Sequence, residues 1–316
     1  MLVVDISVLI INWNTKDMLQ RCLNCVFASN TEGLSMEVVV VDNGSTDESR
    51  EMIETQFPQT KLIANRENLG FAMANNQAHR ESLGRNILLL NPDTEFPPEL
   101  IAGLARFLDS KPNVGAVCPR YLLPDGRFST RGHYCRLPTL MSSLLYYTVA
   151  RPFGKKTPWV KSYLMEDELF NSPMPIEQPA AACLMVRRGS FDGDLLDNRF
   201  PLFFNDVDLC CRIWKKGYQI MYLPWYTLIH HQGTSVKRLR PLDSRRETYI
   251  GLIGYFEKHR PRYQLRILQL GLLLSLAVEN LWILCSRLLQ MDSSRPLFSF
   301  RWIWLVLVQR KSKFPL

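Results

Sequence analysis

The chain has 316 residues, of which 47% are apolar, 11% aromatic and 22% charged. That mixture excludes a disordered, collagen-like or low-complexity chain, and the length suffices for one large domain of roughly 200 to 250 residues with an appendage. The net charge of +8 is uneven: from Lys237 onward 15 Lys and Arg face 5 Asp and Glu, an excess of +10 that leaves the body near −2, which argues against a nucleic-acid groove and for a local contact with phosphate or anionic lipid.

The opening MLVVDISVLII has no positively charged leader and no small-residue cleavage site, so it is not read as a signal peptide. ISVLIIN (6–12) is a β-branched apolar run that ends in polar Asn12, Trp13 and Asn14, and a helical pattern follows to about Ser29. Cys22 and Cys25 form a CxxC with no second pair at metal spacing, and with Met18, Leu19 and Val26 they read as a buried helix face. Eight cysteines are too sparse for a disulfide scaffold, so the body is expected to fold in a reducing cytoplasm.

The alternation then repeats. EVVVVD (37–42) precedes a helix opened by the capping box Ser45-x-x-Glu48, KLIAN (61–65) precedes one from about Phe71, and NILLLN (86–91) one near Pro98. Near-continuous apolar strands alternating with helices predict an α/β fold, a parallel sheet covered on both faces. Ligands of such sheets bind beyond the carboxyl ends of the strands, where Asn12, Asn14, Asp42, Asn43, Asn65, Asn68, Asn91 and Asp93 collect. Residues 119–176 read as irregular structure over one end of the sheet. Order returns with the strand AAACLMV, the helix NDVDLCCRIWKKGY closed by Gly217, with Cys210 and Cys211 on different sides, and the strand QIMYLP before LIHHQGTS.

Two apolar runs occupy the tail, ILQLGLLLSLAV (267–278) and WIWLVLV (302–308). Neither reaches the roughly 18 to 20 residues of a spanning helix. Their Trp, Leu and flanking cations fit helices lying in a membrane interface, the plainer alternative being an amphipathic helix packed on the body. The division expected is a body over 1–262 and a membrane-associating tail over 263–316.

Asp93 in NPDTE is one carboxylate fixed just beyond a buried strand, with Asn91 two residues before it. A hard divalent cation bridging a diphosphate takes such a carboxylate; an Asn-Pro-Asp turn explains the same residues. Asp42 in VVDNGSTD could accept a hydrogen bond from a pyrimidine N–H, and Asn43, Gly44 and Ser45 could equally be just a turn and cap. In ENLGFAMANN, Gly70 permits a close backbone approach, and Asn68 and Asn76 suit a neutral sugar or ribose.

The ordered set LIINWN, VVDNGSTD, ENLGFAMANN, LLLNPDTE, FFNDVDLCCRIWKKGY and LIHHQGTS, spanning about 5 to 260, resembles the glycosyltransferase family 2 enzymes, especially their bacterial rhamnosyltransferase-like branch. The resemblance implies a GT-A, Rossmann-like fold, an inverting mechanism and a nucleotide-diphosphate sugar donor, with dTDP-L-rhamnose first and UDP-sugars next. It implies Mg²⁺ or Mn²⁺, a lipid-linked glycan acceptor, and a place at the inner face of the cell membrane. It puts Asp42 on the nucleotide base, Asn12, Asn14, Asn68, Gly70, Asn76 and Asn91 around the donor, and Asp93 on the metal and diphosphate. His230 or His231 adds a metal contact, and Asp206 is the catalytic base. Asn91 stands where many relatives have the first Asp of a DxD, and Asn205 where most have an acid. Those departures keep a second reading open, an inactive nucleotide-sugar-binding scaffold at the membrane, from which donor turnover separates an enzyme. A dinucleotide oxidoreductase is excluded because no GxGxxG follows the first strand, and a nucleotidyltransferase because LIINWNTKDM has no glycine-rich phosphate loop.

Overall fold

The computed structural model describes residues 4–128, 132–166, 168, 170–200, 202–231, 241–288 and 302. In chain order the first half runs β1 (Ile6–Asn12), α1 (Lys16–Phe27), β2 (Met36–Asp42), α2 (Ser49–Gln56), β3 (Lys61–Ala64), α3 (Phe71–Arg80), β4 (Asn86–Leu90), β5 (Thr94–Glu95), α4 (Leu100–Ser110) and β6 (Val114–Leu122). There follow β7 (Tyr134–Cys135), α5 (Leu140–Tyr147), α6 (Arg151–Gly154), α7 (Pro158–Tyr163), β8 (Met174–Pro175), β9 (Gln178–Pro179), β10 (Cys183–Arg187), α8 (Asn205–Lys215), β11 (Gln219–His230), α9 (Pro241–His259) and α10 (Arg262–Leu288).

Among the described residues the main sheet follows the order β3-β2-β1-β4-β10-β6-β11-β5, with β8 on β11. β1 is buried along its whole length and pairs parallel with β2 and β4, while β10 runs antiparallel between β4 and β6. The sheet is therefore mostly parallel with helices on its faces, the GT-A architecture expected. The β1–β2 register runs from Ile6 opposite Met36 to Asn12 opposite Asp42, so the two apolar runs end level and deliver their first polar residues side by side.

Three local expectations need correction. The capping box at Ser45 and Glu48 does not form: the helix starts at Ser49, and Glu48 takes a left-handed φ of 61° while its carboxylate pairs with Lys16 at 2.7 Å. Ser45 is occupied instead by Asn12 and Asn14, so the site outcompeted the cap. The stretch 119–176 is more regular than read. Pro152 and Pro158 stand in the first turns of α6 and α7, where a missing N–H is harmless, and Thr139 and Ser142 form a reciprocal capping box at α5. Finally, β11 does not stop at Pro224 but shifts register between Leu223 and Thr227 and continues to His230.

The cysteines behave as the sequence reading expects. All eight are free thiols, Cys22 is buried with its pKa pushed up to about 12 by desolvation, and Cys210 and Cys211 join two different apolar clusters. The second cluster joins Phe200, Phe204 and Val207 to Tyr249, Ile253 and Phe256 of α9 and to Leu268, Leu272 and Leu276 of α10. Spacing of four along α10 makes this one helix face. Leu270, Leu274, Leu281 and Trp282 lie exposed elsewhere on the same helix.

The tail's first run is longer than the sequence reading allowed. α10 has 27 residues with a mean hydropathy of 1.8 over its most apolar window, enough by length and composition to cross a membrane. Glu279 does not interrupt it, because Arg245 of α9 holds that carboxylate in two hydrogen bonds at 2.6 and 2.7 Å. The second run, 302–308, lies outside the described residues apart from Trp302, which meets Tyr249 edge-on.

Candidate active site

At the ends of β1 and β2, Asp42 is fully buried and accepts hydrogen bonds from Asn12 Nδ2 (2.9 Å) and from the Ser45 N–H (3.1 Å). Asn12 also donates to Ser45 Oγ and accepts from Thr15 Oγ1, so its amide orients Asp42. Asn14, at φ 53°, accepts from the Thr46 N–H at 2.7 Å and fixes the turn that follows Asp42. Gly44 is required there, because a Cβ would stand 2.8 Å from the main chain of Glu67.

The loop 65–70 is held by Asn43, which donates to Asn68 Oδ1 (2.7 Å) and accepts from Asn65 Nδ2 and the Leu69 N–H. Asn68 in turn accepts from the N–H of Gly70, whose φ of 86° an L side chain rarely adopts. Asn76 is removed from the expected sugar-facing set. It is buried, and its amide is consumed by the Leu196 backbone at 2.7 and 3.0 Å and by Asn198.

Beyond β4, the antiparallel pairing of β11 with β5 sets His230 opposite Thr94. Successive strand residues point to opposite faces, and this separates the two adjacent histidines. His230 Nε2 lies 3.3 Å from Asp93 Oδ1, whereas His231 Nε2 meets Glu95 Oε1 at 2.7 Å. His230 Nδ1 is 3.0 Å from Nε2 of buried His133, whose ring stacks on Tyr121 at 4.6 Å. With His230 Nδ1–H donating to His133, the Nε2 lone pair can ligate a cation shared with the Asp93 carboxylate, whereas the other tautomer donates Nε2–H to that carboxylate. This donor pair fits a divalent cation. Among the described residues no group of three or more His, Cys, Asp or Glu forms a metal cage, so further ligands would be diphosphate oxygens and water.

Asp206 sits in the first turn of α8, entered through Phe204 at φ 69°. It keeps some exposure but is ringed by protein, and desolvation raises its pKa against hydrogen bonds from the N–H groups of Val207 and Ala181. Gln178 Nε2 stands 3.5 Å from its other oxygen. Asn205 donates to Leu202 O. The missing neighbouring acid therefore does not return Asp206 to an ordinary value, since burial raises it alone.

Asp208 has a different task. It is fully buried against Arg212 (2.9 Å), Lys258 (2.7 Å) and His259 (2.7 Å). Burial alone would raise its pKa, but His259, Lys258 and Arg212 together lower it. Asp208→Ala is expected to destabilise the fold by about 3 kcal/mol or more, the usual result of breaking a buried ion pair, as urea unfolding will measure.

The two carboxylate sites share one wall. Ala182 O accepts from the Asn91 N–H at 2.9 Å, while the N–H of Ala181 points at Asp206. His133 and Gln178 were not singled out in the sequence, and each is set against its partner by pairing distant in the chain.

The sequence profile described as Glycosyl transferase family 2 matches residues 7–193. N-acetylglucosaminyl-diphospho-decaprenol L-rhamnosyltransferase of Mycobacterium tuberculosis is 29% identical over 217 residues, covering 64% of this chain and 69% of that protein. O-antigen biosynthesis protein RfbC of Myxococcus xanthus is 24% identical over 242 residues, 73% of this chain but only 17% of its own length. The fold is similar to that of a mannosyltransferase from Pyrobaculum calidifontis solved with GDP-Man and Mn²⁺, at 16% identity and a TM-score of 0.51 over 96% of this chain and 84% of that one. It is also similar to GalNAc-T7 solved with UDP, GalNAc and Mn²⁺, at 17% identity and a TM-score of 0.52, over 72% of this chain and 44% of that one.

Proposed function

The chain belongs to glycosyltransferase family 2, and from that premise we propose that it moves a sugar from a nucleotide diphosphate to a lipid-linked glycan with inversion at the anomeric carbon. The observation that supports this reading is the Ala181–Ala182 segment: Ala182 O accepts from the Asn91 N–H, two residues before Asp93, while the Ala181 N–H points at Asp206, a carboxylate of raised pKa. A base with a pKa shifted toward working pH is suited to take a proton from a sugar hydroxyl.

In this reading Asp42, oriented by Asn12 beside the turn that Asn14 fixes, faces the nucleotide base, and Gly70, Asn68 and Asn91 border the donor. Asp93 and His230 would hold Mg²⁺ or Mn²⁺, which when bound would supply positive charge against the departing diphosphate. Asp206 accepts the acceptor's proton as that oxygen attacks. One displacement needs no covalent enzyme intermediate and inverts the centre. Rhamnose is the favoured sugar, as dTDP-L-rhamnose, because the rhamnosyltransferase relative resembles 64% of the chain; UDP-sugars follow. The product belongs to bacterial cell-surface polysaccharide synthesis.

A thermal-shift panel tests this. dTDP-L-rhamnose with Mn²⁺ is expected to raise Tm with concentration over Kd, more than UDP-sugars or the same donor in EDTA. No shift from any nucleotide sugar would remove the proposal.

The body over 1–262 would carry catalysis, and the tail from 263 would dock on the cytoplasmic membrane face. The exposed apolar residues of α10, with cations about them, support interfacial binding. Deleting α10 would uncover the second core, so exposed positions are the better probe. Leu270→Glu with Leu274→Glu and Leu281→Glu is expected to shift the protein from sedimenting with anionic vesicles to the supernatant, with Tm preserved; unchanged sedimentation would locate the contact elsewhere.

A further inference from the structure

A cavity of about 190 Å³ opens between β7 and helices α5 to α7. Tyr134, Cys135, Tyr146, Arg151, Lys155 and Glu166 are among its lining residues. Arg151 lies 4.7 Å over the Tyr146 ring, and among the described residues no carboxylate pairs with Arg151 or Lys155. Among the described lining residues two cations stand against one carboxylate, in a body that is close to neutral overall.

Its position relative to Asp206 follows from strand pairing. Cys135 in the cavity wall pairs with Gln178, and Gln178 Nε2 reaches Asp206. Paired strands lie about 5 Å apart, so one strand spacing and one glutamine side chain link the cavity wall to the carboxylate. Burial pushes the Cys135 thiol up to about 12, and the nearby Asp206 charge adds to it. On the outer side the helices carry exposed Phe153 and Trp159. The same segment is tied to α10 by the Val149 N–H donating to Ser275 Oγ at 2.9 Å.

We propose that this cavity binds the diphosphate of a lipid-linked acceptor through Arg151 and Lys155. The acceptor sugar then reaches inward to Asp206, and the apolar chain leaves over Phe153 and Trp159 toward α10. The inference rests on the glycosyltransferase reading above and adds the site that would hold the acceptor. Charge-assisted hydrogen bonds from two cations suit a diphosphate, and the aromatic rim suits an isoprenoid rather than a free anion.

Farnesyl diphosphate below its micellar concentration is the probe, with farnesol and inorganic pyrophosphate beside it. All are titrated calorimetrically into the full chain in EDTA, so that metal-dependent binding at Asp93 does not contribute. Farnesyl diphosphate is expected to bind best, and R151A/K155A to weaken it at least ~10-fold. Lys156→Ala, at an exposed lysine outside the lining, should leave it unchanged. Lys155→Ala alone gives a smaller loss of the same sign should the double variant fold poorly. Equal binding by these variants, farnesol binding as tightly as farnesyl diphosphate, or no binding by the wild type would overturn the assignment. Pyrophosphate binding equally well would overturn it too, in favour of a free phosphate anion. Donor binding with Mn²⁺ is measured on the same samples. Its loss in the wild type would sink the glycosyltransferase reading, whereas its presence without farnesyl diphosphate binding would sink only this inference.

Discussion

Asp206→Asn is expected to lower sugar transfer by ~10²-fold or more, the usual cost of a lost general base, while donor affinity holds and stability at neutral pH does not fall. Asn fits the same first-turn position and can still accept the Val207 N–H through its one carbonyl oxygen, but it takes no proton from the acceptor. The stability sign follows from the raised pKa. A carboxyl group whose folded pKa lies above its unfolded value favours the protonated fold, so stability declines as pH rises from the ordinary value of 3.8 through the raised one. At pH 7 the ionised carboxylate pays that desolvation cost, and Asn removes it. Activity runs the other way, since only ionised Asp206 accepts a proton: wild-type transfer should fail on an acid limb lying above the ordinary aspartate value of 3.8. Turnover, donor affinity and Tm measured on one preparation test all three statements. Near-normal transfer would dismiss Asp206, and Asp208 would be a poor substitute because Arg212, Lys258 and His259 already engage it. Asp208 also has the opposite linkage: its lowered pKa supports the fold above the unfolded value and that support is lost as pH falls through the folded one.

The parallel half of the sheet was legible because a strand buried on both faces must be apolar throughout, so ISVLIIN, EVVVVD and NILLLN announce both their extent and their polar ends. What failed was local chemistry that a distant partner overrode. Ser45 looks like a cap from its neighbours, but Asn12 and Asn14, more than thirty residues away in the chain, claim its hydroxyl. Asn76 looks like a sugar ligand until residues 196–198 fold over it. His133 stands in a glycine- and arginine-rich stretch with no motif of its own, and meets His230 across 97 positions. The helices of 140–163 were hidden because their prolines read as breakers when they serve as first-turn residues. The adjacent histidines were undecidable in sequence for a simple reason: two neighbours on a strand face opposite ways, and only the pairing of β11 with β5 says which one meets Asp93.

Asp93→Ala is expected to reduce Mn²⁺-dependent binding of nucleotide diphosphate by ~100-fold or more, since even partners one layer outside a metal's ligands typically cost 10–100-fold. The NPD segment offers one carboxylate where a DxD offers two, so no neighbour compensates. His230 would remain, held through Nδ1 by His133, but a lone imidazole is a weak partner for a hard cation that prefers oxygen. Calorimetry with dTDP and Mn²⁺, repeated in EDTA, isolates the metal-dependent part. Glu95→Gln is the control, because Glu95 faces His231 and Arg21 and its loss should leave that part within about twofold, the ordinary context dependence of a screened surface pair. Asp93→Asn separates charge from shape: it keeps the volume and one acceptor oxygen at the strand end, so retained affinity would mean the site needs geometry alone, while a loss matching that of Ala would assign the effect to the negative charge. Should both Asp93 variants bind like the wild type while Glu95→Gln fails, the cation belongs to the His231–Glu95 pair, and the diphosphate would lie on the opposite face of β11.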